Sequence, residues 1–482
     1  MKKILQLLLL SAMLVLGLAV SQPVHADDTL QQVKEKGELT VALSPDYPPF
    51  EFQVNHHGHA SDAGLDIEII KQFAHDLGVK LVIKNMSWSS VLVAVETGKA
   101  DMAIGGINPT AEREQSAEFS KIYYQGGQCF LINKQDAEQI KHQSDLKGKV
   151  VGTQTGTLQQ DLAKKHLTGS KLTSMEKTND LILGVKTHKV DAVGVEKPVG
   201  EAYVQNDPDL KMIPADYQLS KKDTGCAMVF RKGDTSMVHA ANQTIDQIEK
   251  DHLLPQYMKT ASKEMKTNTV DTSMWHYWTY FAKGLEYTLL ISIVAVLGGI
   301  ILGIVLALMK LSHQVWLSWP ANAYVEVVRG TPLMVQVLLV YFGVGLLVNF
   351  PALEAGMLAV TLNSAAYVCE VIRGGINSVS KGQAEATQSL GLSKTDAMRF
   401  VILPQALKNI WPALGNEFIS VIKESSIVSI IGVTDLVYEL NIVRADTYRG
   451  VAPIVVVMVM YFLLTFTLTR LLNLWEKKLQ HN

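Results

Sequence analysis

Apolar residues fall in two patterns along the chain. From residue 27 to about residue 258, short apolar runs alternate with stretches of helical spacing. Leu39-Thr40-Val41-Ala42-Leu43 and Lys80-Leu81-Val82-Ile83 are of the first kind, and Leu65 to Leu77 is of the second. Short apolar runs bounded by turn residues predict strands, and their alternation with helices predicts an α/β unit. Lys147 to Thr153 opens a second cycle, with a helix expected from about Thr157. Two such cycles predict two lobes with a cleft between them.

Residues 259–274 are polar and aperiodic, which predicts a linker. Beyond them the chain becomes apolar all round. Thr288 to Met309, Gly330 to Leu353 and Val451 to Thr469 are free of charged residues, and each is long enough to cross a hydrocarbon core. Two weaker stretches, about Glu354 to Ile372 and about Asn409 to Val433, complete a set of five expected spans. Five spans beginning outside end inside. Lys310 and Arg329, the Arg373 to Arg399 loop, and Arg470, Lys477 and Lys478 all fall on the expected cytoplasmic side.

The first 26 residues have the three parts of an export signal: Lys2 and Lys3, an apolar stretch from Ile4 to Val20, and Val24-His25-Ala26 as a small-residue cleavage site. An uncut anchor helix is the alternative. With no cysteine near this boundary, a lipid-anchored mature N-terminus is not expected. Composition agrees with a chain that meets two solvents: 48% of residues are hydrophobic although 19% are charged. The net charge of −2 excludes a polybasic nucleic-acid binder. Three cysteines make no disulfide framework, and no Cys/His spacing suggests a metal site. No Gly-x-x-x-x-Gly-Lys-[Ser/Thr] motif occurs, so ATP phosphates have no cradle on this chain.

Two loops carry the chemistry of the first half. Ser44-Pro-Asp-Tyr-Pro-Pro-Phe-Glu-Phe52 sets aromatic residues among rigid prolines. Gly105-Gly-Ile-Asn-Pro-Thr-Ala-Glu-Arg113 follows a strand, its glycines letting a ligand approach the backbone and Arg113 offering a planar fork for a carboxylate. With Gly64-Leu-Asp66, Met86-Ser-Trp88, Gly98-Lys-Ala-Asp101, Thr155-Gly-Thr157 and Asp191 to Pro198, these motifs resemble the polar amino-acid family of extracytoplasmic solute-binding proteins. The resemblance implies an α/β two-lobed periplasmic-binding-protein (type II) clamp that closes on one free L-amino acid. Arg113, with Asn108 and backbone N–H groups at Thr157, would take the α-carboxylate. Glu196, with the Gly106 carbonyl beside Gly105, would take the α-ammonium, although an aspartate is commoner at that place. Tyr47 and Trp88 would sandwich the side chain. Ser44 stands where several members that bind cationic or amide side chains have an aspartate, so a cationic ligand would need another anion, Glu51 or Asp46. Glutamine and the cationic amino acids arginine, lysine and histidine are the substrates this implies. The hinge is expected near Tyr124 to Gln128 and Thr224 to Ala227, flanked by Cys129 and Cys226, which could form a disulfide or stay as two buried thiols. Cys369 is read as packing within a span.

The second half has its own signature. Glu385-Ala-Thr-Gln-Ser-Leu-Gly391 followed by Leu403-Pro404, together with Val328-Arg-Gly-Thr-Pro332 and Lys423-Glu-Ser-Ser-Ile427, resembles the coupling loop and flanking spans of ABC importer permeases of the amino-acid branch. This implies an all-α type I ABC importer transmembrane domain over residues 275–482. Glu385, Ala386, Gly391 and Pro404 would belong to a segment that docks on an ATPase. ATP and Mg would then sit on a separate pair of ATPase subunits and the permease would pair as a homodimer, with no cofactor on this chain. Glu417, Lys423 and Glu424 lie at membrane depth and are candidates for the pathway, the dimer seam or an internal ion pair. A ligand-gated channel and a transmembrane sensor are the other classes compatible with a clamp joined to spans. A channel would interrupt the clamp with its pore, and a sensor needs a signalling segment after the last span.

Overall fold

The computed structural model describes residues 29–56, 59–268, 273–348, 350–447 and 451–480. The expected export signal lies outside these residues. Two five-stranded sheets build the first half. One runs, edge to edge, Lys80–Asn85, Glu38–Leu43, Met102–Ala103, Gly225–Arg231 and Ala117–Gln125. The other runs Lys171–Met175, Val150–Gln154, Ala192–Glu196, Gln128–Asn133 and Leu210–Pro214. Each sheet pairs parallel at one end and antiparallel at the other, so the two lobes repeat one plan. Glu38–Leu43 is buried along nearly its whole length, which is why it reads as an unbroken apolar run rather than an alternating one.

Two segments pass between the lobes. Gly126-Gly127 links the last strand of the first sheet to the second, and residues 215–224 lead back. They run side by side, Gly126 N donating to Thr224 O at 2.8 Å and Gln125 Nε2 to Thr224 Oγ1 at 2.6 Å. The expected hinge is therefore placed well at its first crossing, while the second lies mostly upstream of Thr224. Cys129 and Cys226 are both buried free thiols, not a disulfide. Each instead faces Glu196, Cys226 Sγ lying 3.6 Å from Glu196 Oε2.

The expectation of an aperiodic linker over 259–274 is corrected. Helix Leu254–Asn268 runs through most of it. Ala261 and Met265, one helical turn apart, are buried against Phe52, Val54, Ala63 and Ala202. Leu254, Tyr257 and Met258 of the same helix pack on the clamp core, and Ala261 and Met265 continue their stripe, so the periodic pattern straddles the boundary drawn at 258.

Among the described residues of the second half, three helices are long and apolar enough to cross a membrane: Met274–Leu311, Ala352–Asn377 and Val451–Trp475. Two bent pairs, Val315–Arg329 with Leu333–Leu346 (110°) and Lys394–Ile431 with Leu436–Arg444 (54°), raise the number to at most five. Of the span expected over Gly330 to Leu353, one helical stretch covers only Leu333 to Leu346, and the bend lies just before it. Pro332 lacks an N–H and restricts the residue before it, so helix Val315–Arg329 ends at Gly330 and a new one starts at Leu333. The main contact of this half joins Trp278–Leu311 to Ala352–Asn377. Gly299 and Gly303 face Ser364 and Val368 with no room for a side chain, an approach that small residues permit in the absence of water. At the far end of these helices Glu370 gathers Lys310 (2.7 Å), Arg373 (2.9 Å) and Arg329 (3.5 Å) into one ion cluster.

The clamp is seated on the opposite end. Ala42, Met86, Val91 and Ala94 of the first lobe share one apolar cluster with Tyr341, Phe342, Ala355, Val428 and Ile431 of the helical half. Ser87 and Ser90 donate to the Ile430 carbonyl at 3.0 and 3.1 Å, and Lys99 Nζ to the Phe350 carbonyl at 3.1 Å.

Candidate functional site

The cleft between the lobes holds a small cavity. Ser44, Tyr47, Trp88, Gly105, Gly106, Asn108, Arg113 and Thr157 all line it, so eight of the nine clamp residues singled out from sequence converge. They arrive on loops at the C-terminal ends of strands, where open α/β sheets leave a crevice. Glu51, Asp46, Gln154, Leu158 and Gln159 complete the wall.

The glycine loop is shaped by Glu51 and Asp66. Gly105 has φ +148° and Gly106 φ +60°, and a Cβ on Gly105 would strike the Glu51 carboxylate. Asp66 Oδ2 accepts from Gly106 N and from Tyr123 Oη, both at 2.9 Å, which fixes the loop from behind. Burial raises the Asp66 carboxyl to about 7. Glu51 is 1% exposed. Its Oε1 accepts from Ser44 N at 3.2 Å, while Oε2 has no hydrogen-bond partner among the described residues. Burial first, and the neighbouring Asp66 second, push the Glu51 carboxyl well above the usual carboxylate range.

Arg113 reaches across the cleft. Its Nη1 donates to the Asn108 carbonyl at 3.1 Å and its Nη2 to the Gly156 carbonyl at 3.0 Å, one on each lobe. The Trp88 ring stacks over the guanidinium, 5.6 Å from its centre. Tyr47 stacks on Phe50 (6.0 Å, 14°), so Tyr47 and Trp88 line the cavity from separate places. Thr157 caps helix Leu158–His166, its hydroxyl accepting from Gln160 N, and leaves the first N–H groups of that helix at the cavity.

Glu196 is the ninth residue, and it sits behind the wall rather than in it. Its Oε1 accepts from Asn108 Nδ2 at 3.0 Å, its backbone N–H donates to Tyr47 Oη at 3.4 Å, and burial pushes its carboxyl up to about 7. These contacts draw the lobes together. Gln154 and Gln159 were not anticipated, since a glutamine after a strand carries no sequence signal by itself.

In the helical half, Glu385 and Ala386 lie exposed on helix Lys381–Ser389. Gly391 follows with φ +78°, and Pro404 opens helix Leu403–Glu424. Leu390 (80% exposed) and Phe400 (63%) stand out of the same segment. Glu417, Lys423 and Glu424 make no ion pair among the described residues; Lys423 and Glu424 are exposed and Glu417 half-buried. The internal pair considered from sequence is not formed, because Glu417 and Lys423, six positions apart on one helix, point to different sides.

Residues 39–261 match the bacterial extracellular solute-binding proteins, family 3, and residues 299–481 match the binding-protein-dependent transport system inner membrane component. The chain is 41% identical over 202 residues to a putative glutamine transport system permease protein, GlnP, of Rickettsia bellii (strain RML369-C), covering 42% of this chain and 93% of the relative. It is 42% identical over 205 residues to the arginine transport system permease protein ArtQ of Bacillus subtilis (strain 168), covering 42% and 94%. Among solved structures, its first half is similar to an amino acid ABC transporter substrate-binding protein, AbpA, from Streptococcus pneumoniae Canada MDR_19A bound to L-arginine, with 35% identity, 48% of this chain and 98% of that one covered, and a TM-score of 0.47. The chain belongs to the binding-protein-dependent ABC permeases of the amino-acid branch, with a family 3 solute-binding domain fused ahead of the permease.

Proposed function

We propose that this chain is the binding and permease subunit of an ATP-driven importer for a cationic L-amino acid, with glutamine as the competing substrate. The observation that carries the choice is Glu51, a buried acid of the cavity wall whose Oε2 has no hydrogen-bond partner among the described residues. Such an atom costs stability when left alone, and a guanidinium or ammonium side chain would satisfy it. Asp46 lies on the same wall, one carboxylate oxygen held by the Ser44 hydroxyl. The permease relatives carry arginine and glutamine in their names, which is consistent with either substrate.

In this reading Arg113 exchanges its carbonyl contacts for the α-carboxylate, aided by Asn108 and the helix N-terminus at Thr157. Glu196, which faces Gly106 from behind Asn108, gives up its Asn108 contact to take the α-ammonium, Gly105 and Gly106 admit the ligand to the backbone, and Ser44, Tyr47 and Trp88 bound the side chain. The clamp, residues 27–268, lies outside the cell membrane; Glu385 to Pro404 and the C-terminus lie in the cytoplasm. The exposed apolar residues around Gly391 then meet a pair of ATPase subunits, which hold the ATP and Mg. Glu417, Lys423 and Glu424, unpaired in one copy, line the seam or pathway of a permease homodimer. The test is calorimetric titration of the purified full chain in detergent with the common amino acids. Tight binding of arginine or lysine supports the proposal, binding of glutamine alone reverses the choice, and no binding at all removes the amino-acid reading.

A further inference from the structure

A second cavity, of about 140 Å³, lies between the clamp and the helical half. It shares Ser44, Asp46 and Trp88 with the cleft, so the two spaces meet at the same wall. Its far side is made by Ser429, Ile430, Tyr438 and Asn441 of the helical half. Three bodies thus enclose one chamber: the first lobe through Asp46, the second through Glu176 and Lys177, and the outer end of the permease.

Its charged groups are arranged for a zwitterion. Lys177 Nζ makes no hydrogen bond or ion pair among the described residues, although Asp46, Asp180 and Glu176 attract it and Arg444 repels it at longer range. Asp46 uses one carboxylate oxygen for Ser44 Oγ at 2.9 Å, and the other takes no hydrogen bond among the described residues. An idle cation and an idle carboxylate oxygen across a chamber offer partners to a carboxylate and an ammonium together. Around these charged groups the wall is mostly apolar, with Pro45, Met86, Trp88, Ile430 and Ile442, which keeps the dielectric low and strengthens a contact made there.

We propose that this chamber is a second amino-acid site, holding the carboxylate on Lys177 and the ammonium on Asp46 after release from the cleft. It rests on the reading that the cleft binds an amino acid. The permease side of the chamber, with the Asn441 amide and the Tyr438 ring, is the face toward which the ligand leaves.

The test titrates the full chain in detergent with L-arginine and with L-glutamine by calorimetry, alongside Arg113→Ala, Lys177→Met and Lys177→Arg. Two binding events are expected in the unaltered chain. Arg113→Ala removes the tight event and keeps the weak one. Lys177→Met keeps the tight event and weakens the other by about tenfold, the scale of one charge-assisted contact, and Lys177→Arg restores it. A single event untouched by Lys177→Met overturns the second site and leaves the cleft reading intact. An absence of any event with either amino acid overturns both.

Discussion

Arg444 of the helical half forms an ion pair with Asp180 of the second lobe, its guanidinium only 5% exposed. This pair differs in kind from the seat of the first lobe, which is a broad apolar cluster with several backbone contacts. One lobe is held by area, the other by a charge. Because Asp180 sits in the first turn of helix Thr178–Lys186, its position follows the second lobe as the cleft opens or closes.

Arg444→Ala should therefore leave amino-acid binding unchanged while lowering uptake. Asp180 is 40% exposed, so screening limits the pair to about 1 kcal/mol, or about fivefold in uptake. The exchange Arg444→Asp with Asp180→Arg should recover most of the loss. Equal loss in single and exchanged variants would mean that the contact is incidental.

Glu51→Gln should separate cationic from neutral substrates. Replacing the unpartnered carboxylate by an amide should weaken arginine by about 1.5–3 kcal/mol, about tenfold to a hundredfold, with glutamine changed much less. Equal effects on both would assign Glu51 to shaping the Gly105 loop alone. Competition binding on the full chain measures this directly.

Affinity should also depend on pH in a defined direction. Glu196 titrates near 7 in the empty cleft, raised above its ordinary 4.5, mainly by burial. An arriving ammonium favours the ionised carboxylate and lowers that value, so binding releases a proton and affinity rises with pH up to about 7. In the empty clamp the folded state binds the extra proton, so this group's contribution to stability falls as pH rises from 4.5 to 7. Calorimetry in buffers of different ionisation enthalpy should show the release, and Glu196→Gln should abolish it.

Met265→Asp should destabilise the clamp although Met265 lies in a stretch that reads as a linker. Placing an unpaired carboxylate among Phe52, Val54 and Ala261 should cost about 2–4 kcal/mol. A thermal melt of the full chain followed by tryptophan emission would detect it. No shift would restore the linker reading.

Glu385→Arg should leave ligand binding intact and abolish substrate-stimulated ATP hydrolysis in the assembled importer. The side chain is exposed on helix Lys381–Ser389, remote from the clamp, so a change in ligand affinity would contradict the proposed division of labour.

Much of this arrangement is legible in the residues. The loops 44–52 and 105–113 announce the cleft because prolines, glycines and an arginine at strand ends have few other uses, and all their marked residues reach its wall or the layer behind it. The apolar stretches announce a membrane half, since length without charge is a property of the segment alone. Helix 254–268 was illegible for the opposite reason: its apolar stripe, Leu254, Tyr257, Met258, Ala261 and Met265, thins out among polar residues after 258, and its end shows only once the surface it meets is known.

The sequence by itself determined the two-lobed clamp, the apolar helices and the residue types that gather at the cleft, because these follow from local periodicity and from chemistry that tolerates few substitutes. Only the tertiary structure decided that Glu196 stands behind Asn108, that Glu51 keeps a lone oxygen at the wall, and that Arg444 reaches Asp180. Those relations join residues up to 264 positions apart. Their energies depend on desolvation and distance, which exist only once the chain has closed upon itself.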